Sequence, residues 1–276
     1  MTTKLVSKNS ASELNHQIEQ HLKELAEATD KARTSEEMIR YLDFCAKFHQ
    51  YSAGNIWLIL IANPQASYVA GYHKWKSMGR WVRKGEHGIP ILAPLLVKRE
   101  EEDGIEEKQL VGFRVVYVYD VSQTDGDSLP PIPDWKSPEK NEQLREGLLK
   151  FANENGILVT FKDLDGEVQG ISKGGEIDID PNAGTKTLIH EIAHELLHQV
   201  DQLFLKPAIK ELEAESVAYV VSKYFGLLTL NSPNYLALNG VSSEQFVSYM
   251  ERIQKISSLL IKNIENNHNN DNNKDD

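Results

Sequence analysis

The sequence contains one cysteine in 276 residues, Cys45, so no disulfide can form within the chain. It also lacks an apolar run near the roughly 18 residues that a membrane-spanning helix needs. Its first residues do not show the basic and then apolar pattern of a secretory signal peptide. These absences exclude a disulfide scaffold and predict a cytoplasmic protein with no membrane partner. Cys45 lies in a helical pattern and is interpreted as a small core residue.

Acidic side chains outnumber basic ones by 41 to 30, which gives a net charge of -11. This excess argues against non-specific nucleic-acid binding by the molecule as a whole. The distribution is uneven, however, because residues 72–84 carry five positive side chains and no acidic one. With 40% hydrophobic residues, the chain is long enough for two domains with separate cores.

The segment from Thr187 to His198 predicts a helix with a metal-dependent hydrolytic site. His190 and His194 are one helical turn apart, close enough to hold one ion. Glu191 is rotated about 100° from His190, beside the ion and not in its ligand set. This H-E-x-x-H spacing is typical of zinc peptidases, in which the glutamate is the base toward water. We therefore predict His190 and His194 as metal ligands and Glu191 as the catalytic residue.

A catalytic zinc site usually has a third protein ligand, and the next predicted helix offers three acidic residues. They are Glu211, Glu213 and Glu215. Glu213 falls nearest the centre of the apolar stripe of that helix, about 60° away, and is therefore the predicted ligand. His198 lies about 12 Å from His190 along a regular helix, so it is predicted to lie outside the ligand set. The predicted cofactor is Zn²⁺, although Mn²⁺ or Fe²⁺ would suit the same groups.

The pattern H-E-x-x-H-x-x-x-H, followed by Glu-Ala-Glu-Ser-Val-Ala, resembles the ImmA/IrrE family of gluzincin-like metallopeptidases. The resemblance covers residues 141–266. It implies a mainly helical zincin-like domain with a small sheet, in which His190, Glu191, His194 and Glu213 take the family's roles. It also implies a protein substrate, whose identity these residues do not indicate.

The N-terminal part of the chain is predicted to be a helical layer followed by a hairpin. Helical spacing of apolar residues predicts helices at 10–32, from Thr34 onward and at 52–63. Alternating patterns predict strands at 89–98 and 110–119, separated by an acidic turn. Three prolines within residues 130–133 then indicate a linker between domains.

The C-terminal part is predicted to contain helices at 139–155 and 242–267 and a strand at 157–164. The alternating segment Glu176–Asp180 is predicted to be an edge strand beside the active-site helix, to which an extended substrate could pair. The fold class is therefore α+β with two domains. The predicted boundaries are 1–126 for a DNA-binding domain, 127–140 for a linker, 141–266 for a peptidase domain and 267–276 for a disordered tail.

A basic and aromatic stretch accounts for the local positive charge of the first domain. Single-stranded nucleic acid binds this mixture, because bases stack on aromatic rings while Lys and Arg contact phosphates. The same composition is also typical of tryptophans in a core beside a solvated charged face. The candidate nucleic-acid-binding residues are Trp57, Tyr72, Lys74, Trp75, Lys76, Arg80, Trp81, Arg83 and Lys84.

Four motifs here are similar to the N-terminal domain of ArdC-type antirestriction proteins. They are Tyr51-Ser-x-x-Asn55, Val69-Ala-Gly-Tyr-x-x-Trp75, Gly79-Arg-Trp-Val-Arg-Lys-Gly-Glu-x-Gly-Ile89 and Tyr119-Asp-Val-Ser-Gln-Thr124. The similarity covers residues 10–126. In that family this domain binds single-stranded DNA and precedes a metallopeptidase domain. The resemblance therefore implies an antirestriction-like protein of a mobile element, with single-stranded DNA as a partner.

Two other functions are compatible with these residues. In one, DNA protection is the activity and the metal only holds two helices together, because structural and catalytic sites share ligand types. In the other, the peptidase is retained and the first domain recognises a protein. Glu191 favours catalysis over a structural metal, since a base beside the ion has no part in coordination.

Overall fold

The structure, a computed structural model, describes residues 10–27, 31–100, 106–129, 138–198, 205–227, 233, 238 and 241–272. These residues form two compact units. The first unit draws on Met1–Glu24 and Gly54–Pro130, and the second on Leu25–Ala53 and Pro131–Asp276. The helical segment that follows residue 30 thus belongs to the second unit, although sequence analysis assigned it to the first domain.

The described residues contain α-helices and β-strands in both units. In chain order these are α1 (Ala11–Glu27), α2 (Lys31–Lys47), α3 (Ala53–Ala62), β1 (Val69–Gly71), α4 (Tyr72–Ser77), β2 (Arg80–Val82), β3 (Ile89–Glu100), β4 (Glu106–Asp120), β5 (Thr124–Gly126), α5 (Pro138–Glu154), β6 (Leu158–Phe161), β7 (Gly170–Ser172), β8 (Glu176–Ile179), α6 (Thr185–Leu197), α7 (Pro207–Tyr224) and α8 (Ser243–Asn272).

Helices α1 and α3 supply much of the core of the first unit. On α1, Leu14, Ile18 and Leu22 are buried, as their helical spacing predicts. Helix α3 is apolar along most of its length, and the ring of Trp57 packs against that of His21 with centroids 5.1 Å apart. Residues of α1 thus pack against α3 within the first unit, since Ile18 lies close to Gly54 and His21 contacts Trp57.

The sheet of the first unit has the order β1-β4-β3, and its longest pairing is the predicted hairpin of β3 and β4. The hairpin is confirmed, with Ile89 opposite Val118 and a register irregularity between Leu95 and Leu96. The side chain of Asn55 on α3 joins helix to sheet, since it donates to the carbonyl of Leu92 and accepts from its N–H, both at 2.8 Å.

The motif at residues 119–124 has a structural role in the first unit. Asp120 accepts hydrogen bonds from the backbone N–H groups of Ser67 at 2.8 Å and Ser122 at 2.9 Å. Gln123 donates to Glu86 and to the carbonyl of His87, at 3.1 and 2.8 Å. These contacts fix the chain where β4 ends, because they satisfy backbone groups that have no strand partner there.

The second unit contains a three-stranded sheet in the order β6-β8-β7. Strand β8 pairs in parallel with β6 and antiparallel with β7, so it is the middle strand. The expectation that residues 176–180 form an edge strand is therefore wrong. A short alternating strand does not reveal the number of its partners, and here the edge strand beside α6 is β7.

Helices α6 and α7 form the centre of the second unit. Leu188 and Ile192 are buried on α6, and Val217 and Val221 are buried on α7. Helix α8 continues to Asn272, past the predicted end at residue 267, whereas residues 273–276 of the predicted tail lie outside the described residues. In the part of the chain described here, no helix has both the length and the hydrophobicity required to span a membrane.

Candidate metal centre

Three donor groups from α6 and α7 converge in the second unit. The Nε2 atoms of His190 and His194 are 3.0 Å apart. Two oxygens of Glu211 lie 3.5 Å from His190 Nε2 and 3.4 Å from His194 Nε2. Among the described residues, these three side chains form the group of acidic and histidine donors close enough to hold one metal ion.

The spacing of these donors fits a four-coordinate ion. Metal–ligand bonds of about 2.1 Å in a tetrahedral arrangement place neighbouring donor atoms about 3.4 Å apart. The observed separations run from 3.0 to 3.5 Å. Two imidazole nitrogens and one carboxylate are a donor set that zinc, manganese and iron all accept.

Acidic and basic side chains lie close together in this group and shift the pKa values of one another. Burial opposes the charged imidazole of His190, but the close carboxylates of Glu211 and Glu215 outweigh it and raise its pKa to about 9. The same histidine contacts, those of His190 and His194, hold the pKa of Glu211 well below its usual range. The pocket thus concentrates negative charge around two imidazoles, as a cation site requires.

Glu191 lies beside the donor group and not within it, as its position on the helix predicts. It is largely buried, and burial raises its pKa above the ordinary range of a carboxyl group. Gly170 of β7 lies against it, so closely that a Cβ there would be 2.7 Å from the Cγ of Glu191. Gly170 was not predicted from the sequence, because no local pattern shows which side chain a strand glycine faces.

The third donor differs from the sequence prediction. Glu213 is fully buried, with 0% exposure, and its Oε2 lies 3.0 Å from His198 Nε2 and 3.3 Å from Arg252 Nη2. Glu211 takes the place beside the histidines, and its side chain is 67% exposed. The centre of the apolar stripe of α7 faces the core, where Glu213 meets Arg252 of α8. The border of the apolar stripe, where Glu211 lies, faces the pocket instead.

His198 lies behind His194, outside the donor group as predicted. It is the C-cap of α6, where the helical geometry ends, and its Nδ1 is 3.0 Å from Nδ1 of His194. Burial lowers the pKa of His198. Its imidazole is therefore neutral over a wider pH range than that of an exposed histidine.

Glu215 stands behind the other histidine. Its Oε2 is 3.4 Å from Nδ1 of His190, and it also pairs with Lys186 of α6. Burial opposes ionisation of Glu215, but the contacts with His190 and Lys186 outweigh it and lower its pKa. Each histidine of the donor group therefore has a carboxylate on its far side, directly for His190 and through His198 for His194.

The donor group opens into a pocket of about 870 Å³ between α6, α7 and the edge strand β7. Glu195 fastens the turn after β7 to α6, since it accepts from Ser172 Oγ at 2.6 Å and from the N–H groups of Lys173 and Gly174 at 3.0 and 2.9 Å. Gly174 and Gly175 have φ of +83° and +96°, which side chains rarely tolerate. The turn therefore holds β7 along the wall of the pocket.

The candidate nucleic-acid-binding aromatics divide into buried and exposed residues. Trp57 and Trp75 are 1% and 0% exposed, and Trp75 donates to the carbonyl of Tyr119 at 3.0 Å. A fully buried ring has no face on which a base can stack, so these two residues are not available as binding residues. Tyr72 and Trp81 are 53% and 57% exposed and have such faces.

Two of the candidate cations have structural partners. Arg80 donates to Thr124 Oγ1 at 2.9 Å and to its carbonyl at 3.0 Å. Arg83 pairs with Glu86 and, at 3.4 Å, with Asp125. The exposed Lys74, Lys76 and Lys84 have no ion-pair partner within the ranges that the structure describes.

The family model described as the N-terminal domain of anti-restriction factor ArdC matches residues 8–152. The uncharacterized protein pXO2-81 of Bacillus anthracis is 26% identical over 307 residues, an alignment that covers 90% of this chain and 52% of the relative. The chain thus spans about half the length of the curated relative it matches.

Two solved structures of the antirestriction ArdC protein from the R388 plasmid are also similar. The metal-free structure has 20% identity and a TM-score of 0.48, over 78% of this chain and 84% of that chain. The Mn(II)-bound structure has 19% identity and a TM-score of 0.44, over 77% and 83%. Since the family model matches more than half of its residues, the chain belongs to the family defined by the N-terminal domain of anti-restriction factor ArdC.

Proposed function

We propose that this chain is an antirestriction-like protein whose second unit is a metal-dependent peptidase of the ImmA/IrrE type. The observation that carries the proposal is the convergence of His190, His194 and Glu211 at ion-binding distances, with Glu191 beside them. An open pocket next to these groups is what a catalytic centre needs, because a structural ion is normally closed off by its ligands.

The metal ligands and Glu191 have separate roles in the proposed hydrolysis. A divalent ion held by His190, His194 and Glu211 would polarise a substrate carbonyl and acidify water. Glu191 accepts the proton of the attacking water on its carboxylate and returns it to the leaving amine. Its raised pKa suits both steps, since a carboxyl group whose pKa lies closer to neutral pH releases a proton as readily as it accepts one. The substrate is a protein segment that enters along β7.

The test is peptide hydrolysis by the metal-loaded full chain. A peptide library read by mass spectrometry would be incubated with the parent and with Glu191→Gln. We expect cleavage by the parent, a loss of at least about 100-fold in the variant, and equal metal content in both. A parent that binds metal but cleaves none of the library would favour the alternative in which the ion is structural and DNA protection is the activity.

The identity of the ion is proposed from its ligands. Two imidazoles and a carboxylate favour Zn²⁺, with Mn²⁺ and Fe²⁺ as competitors that accept the same donors. Elemental analysis of protein purified without added metal, followed by hydrolysis after reloading with each ion, would assign it. Activity restored by Mn²⁺ but not by Zn²⁺ would contradict the zinc assignment and leave the peptidase proposal intact.

A second function, binding of single-stranded DNA by the first unit, is favoured by a specific observation. Tyr72 and Trp81 present exposed rings close in sequence to Lys74, Lys76 and Lys84, whose side chains are exposed. Exposed rings stack with bases at about 1–3 kcal/mol each, and the lysines would contact phosphates. The proposed binding residues are therefore a reduced set, without Trp57 and Trp75.

Salt dependence separates DNA binding from protein recognition in this unit. We expect the parent to bind an oligonucleotide with an affinity that falls steeply with salt, and the Lys74, Lys76, Lys84→Ala variant to bind weakly with a smaller slope. Lys108→Ala is the matched control, because Lys108 is an exposed cation on the hairpin of the same unit. Affinity that ignores salt would support the protein-recognition alternative.

A further inference from the structure

A chain of polar contacts runs from His194 into the core of the second unit. His194 Nδ1 is 3.0 Å from His198 Nδ1, and His198 Nε2 is 3.0 Å from Glu213 Oε2. The same oxygen lies 3.3 Å from Arg252 Nη2, and Arg252 also donates to the carbonyl of Leu197 at 2.8 Å. The chain thus joins the last turn of α6 to α7 and α8.

The order of protons along this chain follows from what each atom can do. An ionised carboxylate only accepts, so Glu213 accepts a hydrogen bond from the N–H at Nε2 of His198. A neutral imidazole carries one N–H, which leaves Nδ1 of His198 as an acceptor. His194 must then donate from its own Nδ1. The remaining nitrogen of His194, Nε2, has a free lone pair and is the atom that faces His190 and Glu211.

We propose that Glu213 and His198 are positioning residues that fix His194 in the tautomer with a free lone pair on Nε2. The inference rests on the metal site proposed above, and gives His198 and Glu213 the role that outer partners have around metal-bound histidines. Arg252 balances the charge of Glu213, which is needed because a buried carboxylate without a counter-ion is costly. The relay, formed by His198 and Glu213, therefore orients a metal ligand without being one itself.

The two histidines of the donor group differ in the partner of their Nδ1 atoms. His190 Nδ1 faces Glu215 directly at 3.4 Å, longer than an ordinary hydrogen bond. His194 has a shorter contact, but to a neutral imidazole. Its tautomer is therefore set by His198, and a change at His198 affects His194 without touching the surroundings of His190.

The direct test is the tautomer of His194 in metal-free protein, read from the nitrogen chemical shifts of ¹⁵N-histidine-labelled full chain. We expect the neutral imidazole of His194 in the parent to show a protonated Nδ1 and a bare Nε2. In His198→Ala, the acceptor is gone, and the spectrum should show a mixture of both tautomers. A proton on Nε2 in the parent, or an unchanged spectrum in the variant, would overturn the proposal.

Metal affinity provides the second test, measured with Zn²⁺ against a competing chelator. We expect His198→Ala to lower the affinity about 10- to 100-fold, the range typical of outer partners. His198→Asn should restore part of it, because the side-chain oxygen of asparagine takes the position of Nδ1 as an acceptor. A fold defect would lower both variants alike, so circular dichroism and the Asn rescue separate positioning from structure.

The outcomes for the two proposals are distinct. If the parent binds no metal, the proposed peptidase centre fails, while the tautomer experiment still decides the relay. If the parent binds metal and His198→Ala binds it equally well, the relay fails and the centre stands. Glu213→Gln provides a further variant, expected to lower affinity within the same range; if it does not fold, the His198 pair decides alone.

Discussion

Gly170 of β7 and Glu191 of α6 are in direct contact. A Cβ on Gly170 would lie 2.7 Å from both Cγ and Oε1 of Glu191, closer than real side-chain contacts allow. Strand β7 therefore passes helix α6 at a distance that only glycine permits. The absence of a side chain at residue 170 is what leaves room for the carboxylate of Glu191.

Gly170→Ala should displace the carboxylate of Glu191, because the end of a flexible side chain moves more easily than a strand. We expect peptide hydrolysis to fall about 10- to 100-fold, since a misplaced base costs rate. Metal content should stay unchanged, because Glu191 is outside the donor group. Gly184→Ala is the control: a Cβ there meets no atom within 4 Å. Equal activity in both variants would contradict this view.

Replacement of the acids of α7 identifies the third ligand. We expect Glu211→Gln to lower Zn²⁺ affinity by more than about 100-fold, and Glu213→Gln and Glu215→Gln by about 10- to 100-fold each, since they act on the histidines from outside. Chelator competition and elemental analysis would measure this. If Glu213→Gln abolished binding while Glu211→Gln retained it, Glu213 would be the ligand, as the helical wheel predicted.

His49 makes the stability of the second unit depend on pH. Burial, followed by the nearby charge of Lys262, lowers the pKa of His49 from 6.5 to about 4. Its ring packs against Tyr224 with centroids 4.9 Å apart. Below pH 6.5, His49 binds a proton in the unfolded chain but not in the folded chain. The contribution of His49 to the free energy of unfolding is therefore fully present above pH 6.5 and is lost as the pH falls toward about 4.

The expected loss from this one group is about 3 kcal/mol, from ~1.4 kcal/mol per pKa unit. His49→Phe keeps an aromatic ring and removes the titration. Urea unfolding at several pH values should therefore show a shallower decline for His49→Phe than for the parent across this window. Parallel declines in the two proteins would show that His49 is not the group responsible.

Asn55 should be important for the stability of the first unit. Asn55→Ala removes both hydrogen bonds to Leu92 and leaves its N–H and carbonyl without that partner. We expect a loss of about 2–4 kcal/mol in the free energy of unfolding. Asn63→Ala is the control, since its side chain makes an exposed contact to Gln65 and should cost less than about 1 kcal/mol. Tryptophan fluorescence during urea unfolding would measure both.

Local spacing was sufficient to predict much of this protein. His190 and His194 meet because one turn of one helix separates them, whatever the rest of the chain does. The hairpin of β3 and β4 follows from the alternation of apolar and polar residues along each strand. Such features depend on residues close in sequence, so the sequence by itself determined them.

The third donor could not be predicted in this way. A helical wheel orders Glu211, Glu213 and Glu215 relative to the stripe of α7, but not relative to α6. The packing of α7 against α6 and α8 turned Glu213 toward Arg252 and left Glu211 facing the histidines. The rotation of one helix against two others is set by long-range packing, which a single helix does not encode.

The exposure of the tryptophan rings in the first unit could not be predicted from local sequence either. Trp57, Trp75 and Trp81 are alike in sequence terms, yet the first two are buried and the third is exposed. The sequence by itself determined the composition of the basic and aromatic stretch and the spacing of the two histidines. Tertiary structure alone decided which rings face solvent and which glutamate faces the two histidines, because both depend on what the opposite element places against them.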